Sequence, residues 1–325
     1  MGLHLVTLKG MKLMKTELLV APKNLEELTL LAEAGASAFV VGDARFALVV
    51  RGSFQEKDLE VAVDLAHSLG KKLYLLADAI IPSALLTALE TYLQAISHIQ
   101  FDAIRVADLG AYMLIKQMLP NVEIHFVDAM MLTNYYTVNY WAGKGMTRAR
   151  LAHELTLEEV LEIKNRSTCE IEVLIHGAPL MFSSRRKLVD NYLDYQARMG
   201  KNVALSEDGN FLFDKERELY YPITQNEHGT HIYGGNDVCM IDDLAELLAA
   251  KIDVLYIEGF TYKTEELVKI IQLYKMAIHL VDVDPEKYAK VGLALYAEVE
   301  KLQAEKRRMD RGFYYKPTIY KNQNR

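Results

Sequence analysis

Seven side chains able to exchange protons or hold a hard cation recur at one kind of place in this sequence. Asp78, Asp108, Asp128, His153, Glu154, His176 and Glu258 each end, or closely follow, a short run of apolar residues. Carboxylates and imidazoles gathered in one cleft can work as general acid and base or ligate a cation, because their charge changes or donates near neutral pH. His176, Glu258, Glu154 and Asp108 are the catalytic candidates, with Asp78 and Asp128 as substrate-binding ones. The competing account for each is structural: a cap on the following helix, or an ion pair with Arg45, Arg105 or Arg150. His176 precedes Gly177. A glycine at a strand end lets backbone approach a ligand while the turn aims the imidazole, against which stands a core histidine bonded to a carbonyl.

Other reactive residues carry weaker patterns. His228 and His231 stand three apart in a glycine-rich stretch, half of a metal site without further ligands, so no metal is assigned to the chain. Ser183 and Ser184 adjoin Arg185 and Arg186, but no Gly-x-Ser-x-Gly elbow is present and spacing assembles no Ser-His-Asp set. Two cysteines, Cys169 and Cys239, are too few for a four-ligand zinc or iron–sulfur site, and they suit a reducing compartment. Cys239 lies in Asp237-Val238-Cys239-Met240-Ile241 and reads as a buried thiol.

The elements that must position these groups alternate between strand and helix. Eight apolar runs are expected as strands: Leu18 to Ala21, Phe39 to Gly42, Leu73 to Asp78, Ala103 to Asp108, Glu123 to Asp128, Arg148 to Glu154, Ile171 to Gly177 and Asp253 to Gly259. Helix starts are marked by Asn24 with Glu27, Ser53 with Glu56 and Thr156 with Glu159, each a capping side chain three residues before a carboxylate. Asp284-Pro285 marks another. Strands buried on both faces imply a parallel sheet, and eight β-α units in order imply a closed (β/α)₈ TIM-barrel-like fold of the α/β class. No glycine-rich phosphate loop follows the first strand, where Ala21-Pro22-Lys23-Asn24 stands.

One unit is too long. An insertion at about 178–241, between strands seven and eight, is expected to hold a helix to Gln196 and a hairpin at Glu207-Asp208-Gly209-Asn210. It would lie over the face where barrel enzymes keep their chemistry. Residues 1–14 read as an N-terminal extension, 15–300 as the barrel domain and 301–325 as a basic, aromatic C-terminal tail. That tail has eight Lys and Arg against Glu305 and Asp310, a balance of +6 within a chain of −7, so the other 300 residues carry −13. Arg307, Arg308, Arg311, Tyr314, Tyr315 and Lys316 are its RNA-binding candidates, since cations clamp phosphates and aromatics stack on unpaired bases. The alternative is an arm packed on its own acidic body. Composition, 51% hydrophobic and 25% charged over 325 residues, fits a globular protein and excludes collagen-like, coiled-coil and largely disordered classes. No apolar stretch has a membrane span's length, and the first 20 residues lack a signal-peptide core, so a cytoplasmic protein without membrane or DNA partners is expected.

From Leu18 onward the chain resembles peptidase family U-32, the collagenase-like peptidase family. The resemblance is carried by Glu17-Leu18-Leu19-Val20-Ala21-Pro22, Gly35-Ala36, Arg45-Phe46, Val106-Ala107-Asp108, Thr133-Asn134-Tyr135, Glu154-Leu155-Thr156-Leu157-Glu158-Glu159, Glu172-Val173-Leu174-Ile175-His176-Gly177-Ala178, Asn191-Tyr192, Cys239-Met240-Ile241 and Ile257-Glu258-Gly259. It adds Arg45, Asn134 and Tyr192 to the substrate-binding candidates and implies a barrel-like catalytic region. The family implies either collagenase-like proteases or iron–sulfur proteins that help hydroxylate an RNA base or a quinone ring. The latter need four cysteines. Where their signature has cysteines this chain has Leu180 and Lys187, with Arg185 for a glycine, and only Cys239 stands at a ligand position. His153 and Phe260 also replace family arginines.

These departures resemble a short, cysteine-poor branch whose members pair with a longer, cluster-bearing sibling in hydroxylating the wobble uridine of tRNA to 5-hydroxyuridine. The resemblance implies a hetero-oligomer acting on tRNA, with no cofactor on this chain and with an iron–sulfur cluster and prephenate supplied through the partner. Two other functions stay open: a collagenase-like protease acting on extended peptides, and a non-catalytic scaffold for the sibling.

Overall fold

A computed structural model describes residues 16–127, 132–203, 205, 210–304 and 307–316. Seven parallel strands follow one another around a barrel: β1 (Glu17–Val20), β2 (Ala38–Val41), β3 (Lys72–Ala77), β4 (Ala103–Val106), β5 (Glu123–Phe126), β6 (Met146–Arg150) and β7 (Glu170–Gly177). The eighth barrel strand, Val254–Ile257, pairs in parallel with both β7 and β1 and closes the ring. Each of the eight expected runs supplies one barrel strand. Helices α1 (Leu25–Ala34), α2 (Glu56–Ser68), α3 (Ser83–Ala95), α4 (Leu109–Met118), α5 (Tyr135–Ala142) and α6 (Leu157–Arg166) lie between them. Their buried stripes, such as Leu28, Leu31 and Ala32 on α1 or Leu59, Ala62, Val63 and Ala66 on α2, make the layer between barrel and helices.

Local chemistry starts the helices where short polar side chains can accept orphan N–H groups. Asn24 accepts from Glu27 N (2.8 Å), and Thr156 and Glu159 form a reciprocal capping box. The second expected start shifts: Gln55 precedes α2, while Ser53 accepts from Ala44 N (3.1 Å) and so serves the preceding loop.

Between β7 and the last barrel strand the chain builds a separate antiparallel sheet. It comprises β8 (Leu180–Ser184), β9 (Asn210–Asp214), β10 (Leu219–Asn226) and β11 (Gly229–Tyr233), ordered β8-β11-β10-β9, with α7 (Leu188–Arg198) packed on β10 and β11. Residues 207–209 of the expected hairpin lie outside the described residues. Asn210 opens β9 rather than closing a turn, and the hairpins turn at 215–218 and 227–228. At the second, Asn226 Oδ1 accepts from His228 N (2.8 Å), a local bond that stabilises a tight turn. Next come β12 (Asn236–Cys239), antiparallel to β7, α8 (Leu244–Ala249), and the closing strand β13 (Val254–Ile257). Helices α9 (Thr264–Val283) and α10 (Pro285–Glu300) complete the outer layer, Asp284 capping the second through Lys287 N (3.0 Å).

The described part of the tail is no separate arm. Strand β14 (Arg308–Asp310) adds in parallel to β12. Arg307 is buried, pairs with Asp237 and donates to the carbonyls of Gly234 (2.8 Å) and Gly235 (3.1 Å). Arg311 bridges Asp242 and Asp243 (2.6 Å each), and Tyr314 is buried with its hydroxyl on Leu174 O (2.8 Å). The RNA-binding reading of these three gives way to a structural one, because acidic groups around β12 neutralise the cations that composition shows as excess. Lys316 pairs with Asp310 (2.6 Å), and Arg308 and Tyr315 remain exposed.

Gly177 holds the end of β7 in place. Its φ is +97°, and a Cβ there would overlap the carbonyl oxygen of Glu258. The close approach expected of this glycine is therefore to Glu258's own backbone, whose N–H donates to His176 O (2.9 Å). Gly177→Ala is expected to destabilise the fold by about 2–4 kcal/mol, from a conformation unsuited to an L-residue plus overpacking. A urea midpoint equal to that of the parent would show that β7 and β13 can part without cost.

Candidate active site

Strand alternation decides which side chains enter the barrel. Tyr74, Arg105, His125, Arg148, Arg150, Glu172 and Tyr256 contact one another across it. In the upper layer Arg105 forks onto Glu172, Nη1 to Oε2 and Nη2 to Oε1, each 2.7 Å, with both side chains buried. Arg150 Nε stands 3.8 Å from Glu172 Oε1, and its guanidinium lies 4.3 Å from the centre of the Tyr256 ring. Below, Arg148 pairs with Glu170 (2.6 Å) and Glu17 (3.1 Å), and Tyr74 donates to Glu17 (2.7 Å).

Above this charged layer opens a cavity of about 80 Å³, into which Asp78, Arg51, Arg105, Arg150, Tyr256 and Glu258 face. The insertion walls it with Leu180 and Tyr233, and Tyr233 stacks on Phe260 with centroids 4.8 Å apart and planes 8° from parallel. Glu258 is the proton-transfer group best placed here. It accepts from Tyr256 Oη (2.9 Å) and Phe260 N (3.0 Å), and burial pushes its carboxyl above the usual carboxylate range against the opposing charge of Arg150. A carboxyl so raised can deliver or take a proton nearer neutrality. Asp78 accepts from Leu48 N (2.8 Å). Arg51 is held by Glu27 (2.8 Å) and the carbonyls of Gly259 and Tyr262, leaving its buried Nε, like that of Arg105, without a partner among the described residues.

The other candidates lie elsewhere. His176 does not reach the cavity. A bulge in the β7–β13 pairing sets Tyr256 opposite Leu174 but Ile257 opposite His176, and the extra residue turns the imidazole out of the barrel against α9. There Tyr274 Oη is 3.3 Å from Nδ1, the Tyr262 ring is 5.3 Å away, Nε2 has no partner among the described residues, and burial pushes the pKa down to about 3. Asp108 caps α4 through Ala111 N (2.9 Å), and Asn134 caps α5 through Thr137 N (2.9 Å). Glu154 is exposed in the loop after β6. Arg45 is held by Asp43 (2.6 Å) and Glu56 (3.2 Å) beside the Phe46 ring. Tyr192 is exposed on α7, and Asp128 lies outside the described residues.

Two further sequence patterns resolve in the insertion. His228 Nε2 donates to Ala44 O (2.6 Å), and both nitrogens of His231 are engaged, Nδ1 by Ser183 Oγ (2.5 Å) and Nε2 by Asn226 Oδ1 (3.0 Å). The half metal site is thus a set of hydrogen bonds, and among the described residues no three His, Cys, Asp or Glu side chains converge as ligands. Spacing concealed the Ser183–His231 contact because strand pairing creates it, placing the two directly opposite each other. It joins β8 to β11.

The thiols do not fit an iron–sulfur cluster. Cys239 pairs with His176 at one end of β7 and Cys169 precedes the other end, seven residues or roughly 23 Å along an extended strand. Burial pushes both thiols up to about 11, against the thiolate form that a cluster requires.

The model of Peptidase family U32 matches residues 23–324. tRNA hydroxylation protein P2 of Bacillus subtilis (strain 168) is 38% identical over 307 residues, covering 94% of this chain and 99% of that protein. tRNA hydroxylation protein P1 of the same strain is 27% identical over 284 residues, 84% of this chain but 65% of the relative. The solved structure of the U32 peptidase Mk0906 shares the fold at a TM-score of 0.50 and 15% identity, over 78% of this chain and 96% of that one.

Proposed function

We propose that this protein, which belongs to peptidase family U32, is a cluster-free subunit that acts beside a cluster-bearing member of the family in converting the wobble uridine of tRNA to 5-hydroxyuridine. The observation that carries the reading is a pairing of likeness and lack. The chain aligns almost end to end with a protein named for tRNA hydroxylation, yet its two thiols sit at opposite ends of one strand. Iron–sulfur chemistry, and with it the use of prephenate as hydroxyl source, is assigned to the partner. The longer relative P1, of which this chain spans 65%, has the proportions expected of such a sibling.

The barrel mouth supplies what the chain's own residues can do. Glu258 offers a carboxyl braced by Tyr256 for proton exchange, and Arg51, Arg105 and Arg150, held by Glu27 and Glu172, line the cavity with guanidinium groups that suit a small polar ligand. Tyr233 and Phe260 cover one side and limit water.

Deleting the gene in the organism that encodes it, in a background without any oxygen-dependent route, is expected to lower 5-hydroxyuridine derivatives in tRNA at least 10-fold by nucleoside mass spectrometry. The wild-type gene should restore them. Glu258→Gln should not, since loss of a general acid or base typically lowers rates about 10²–10⁴-fold. Unchanged modification in the deletion strain would refute the role, and full restoration by Glu258→Gln would make the barrel a scaffold.

A further inference from the structure

Nine of the 21 large apolar side chains exposed on the described protein fall between residues 181 and 213, a density that marks a binding surface rather than ordinary scatter. The densest part is α7. Tyr192, Tyr195 and Met199 follow at i, i+3 and i+7 and so share one side of the helix, 54%, 58% and 62% exposed. Val189, Leu193 and Gln196 are more covered, and α7 packs on β10 and β11.

Cations flank this aromatic stripe at both ends. Arg185, Arg186 and Lys187 precede α7, and Arg198 and Lys201 close it, all exposed and none ion-paired with another described residue. Against them within residues 181–203 stand Asp190 and Asp194, a local balance of +3 on a chain of −7. Leu180, which walls the barrel cavity, opens the strand that leads into this segment.

The geometry points to α7 and the Arg185–Lys187 turn as the surface that grips single-stranded RNA. The cations meet phosphates, while Tyr192 and Tyr195 stack on unpaired bases. This identifies the RNA contact for the proposed function and rests on that reading for the choice of tRNA. Tyr, Met and Arg side chains suit a protein partner as well as RNA, and the charge balance decides for RNA: five exposed cations, none ion-paired with another described residue, face only Asp190 and Asp194 within residues 181–203 and complement a phosphate chain.

The test uses the full chain and a fluorescent RNA hairpin with unpaired uridine in its loop, read by anisotropy across a salt series. Five phosphate contacts on a single strand give a log K against log salt slope of about −3.5. Arg185→Ala, Arg186→Ala and Lys187→Ala combined should reduce its magnitude by about 2. Tyr192→Ala should weaken binding about 5- to 150-fold, and Tyr192→Phe, which keeps the stacking face, should restore it. Unaltered affinity and slope would overturn the assignment. So would loss confined to Arg308→Ala with Tyr315→Ala, or variants that bind RNA normally but no longer co-purify with a cluster-bearing family member. Because binding is read directly, intact RNA affinity beside unchanged modification in the deletion strain would sink the function reading alone.

Discussion

Glu172→Ala is expected to destabilise the protein by about 3–5 kcal/mol, a large part of the stability of an ordinary domain, because it strands the buried Arg105 guanidinium. Glu172 is fully buried, takes two 2.7 Å bonds from Arg105, and has Arg150 3.8 Å away. These arginines hold its carboxyl below the usual range despite burial, so it stays charged and neutralises its neighbours. Arg105→Met alone should be milder, since Arg150 still faces Glu172. The double variant Arg105→Met, Glu172→Leu should cost less than the two single changes together, because no unpaired charge of that pair then remains. Additive losses in urea denaturation would show that the fork contributes no coupling. Arg105 also lines the cavity, so the stabilised carboxylate positions part of the candidate site.

The same charges show why the site was harder to read than the barrel. Apolar runs such as Ala38–Val41 and Val254–Ile257 declare a buried strand by composition, and their order declares the ring. Which strand-end residue enters the mouth depends instead on alternation and on departures from it. Glu258 and Asp78 arrive there, whereas one bulged residue in β7 turns His176 away. Glu172, Arg105 and Arg148 were visible as charges inside apolar runs, the signal of an inward polar layer, but their pairing spans 67 residues in the case of Arg105 and Glu172. The tail shows the converse. Its composition is legible and its partners are not, since Asp237, Asp242 and Asp243 meet Arg307 and Arg311 only through the addition of β14 to β12. A cation without an ion-pair partner among the described residues, such as those around α7, cannot be told from a neutralised one until the strands are paired.

Acid should unfold the protein through its buried histidines. Burial lowers His176 to about 3 and His231 to about 4, and lowers His125 well below the ordinary value, with Arg148, Arg105 and Lys72 adding to the shift of His125. A histidine depressed in the native state is protonated first in the unfolded chain, so stability is full above its unfolded pKa of about 6.5 and falls as pH drops from there toward the folded value. Between pH 7.5 and 5, His176 and His231 each remove about 2 kcal/mol, and His125 adds to the loss in the same direction. Glu258, raised by burial, acts oppositely, its native state gaining protons before its unfolded state as pH falls through the raised value. Glu172, lowered, adds to acid loss only below about pH 4.5. The window from pH 6.5 to 5 therefore belongs mainly to the histidines. His176→Phe isolates one of them, since Tyr274 Oη keeps its bond to Ile175 O (3.0 Å) and the ring remains among Tyr262 and Tyr274. Urea midpoints followed by circular dichroism should show the variant's slope near pH 5 reduced by about 1.4 kcal/mol per pH unit, the linkage of one proton. A slope equal to that of the parent would mean that His176 binds its proton equally well in the folded and unfolded chain, and that another group sets the acid limit.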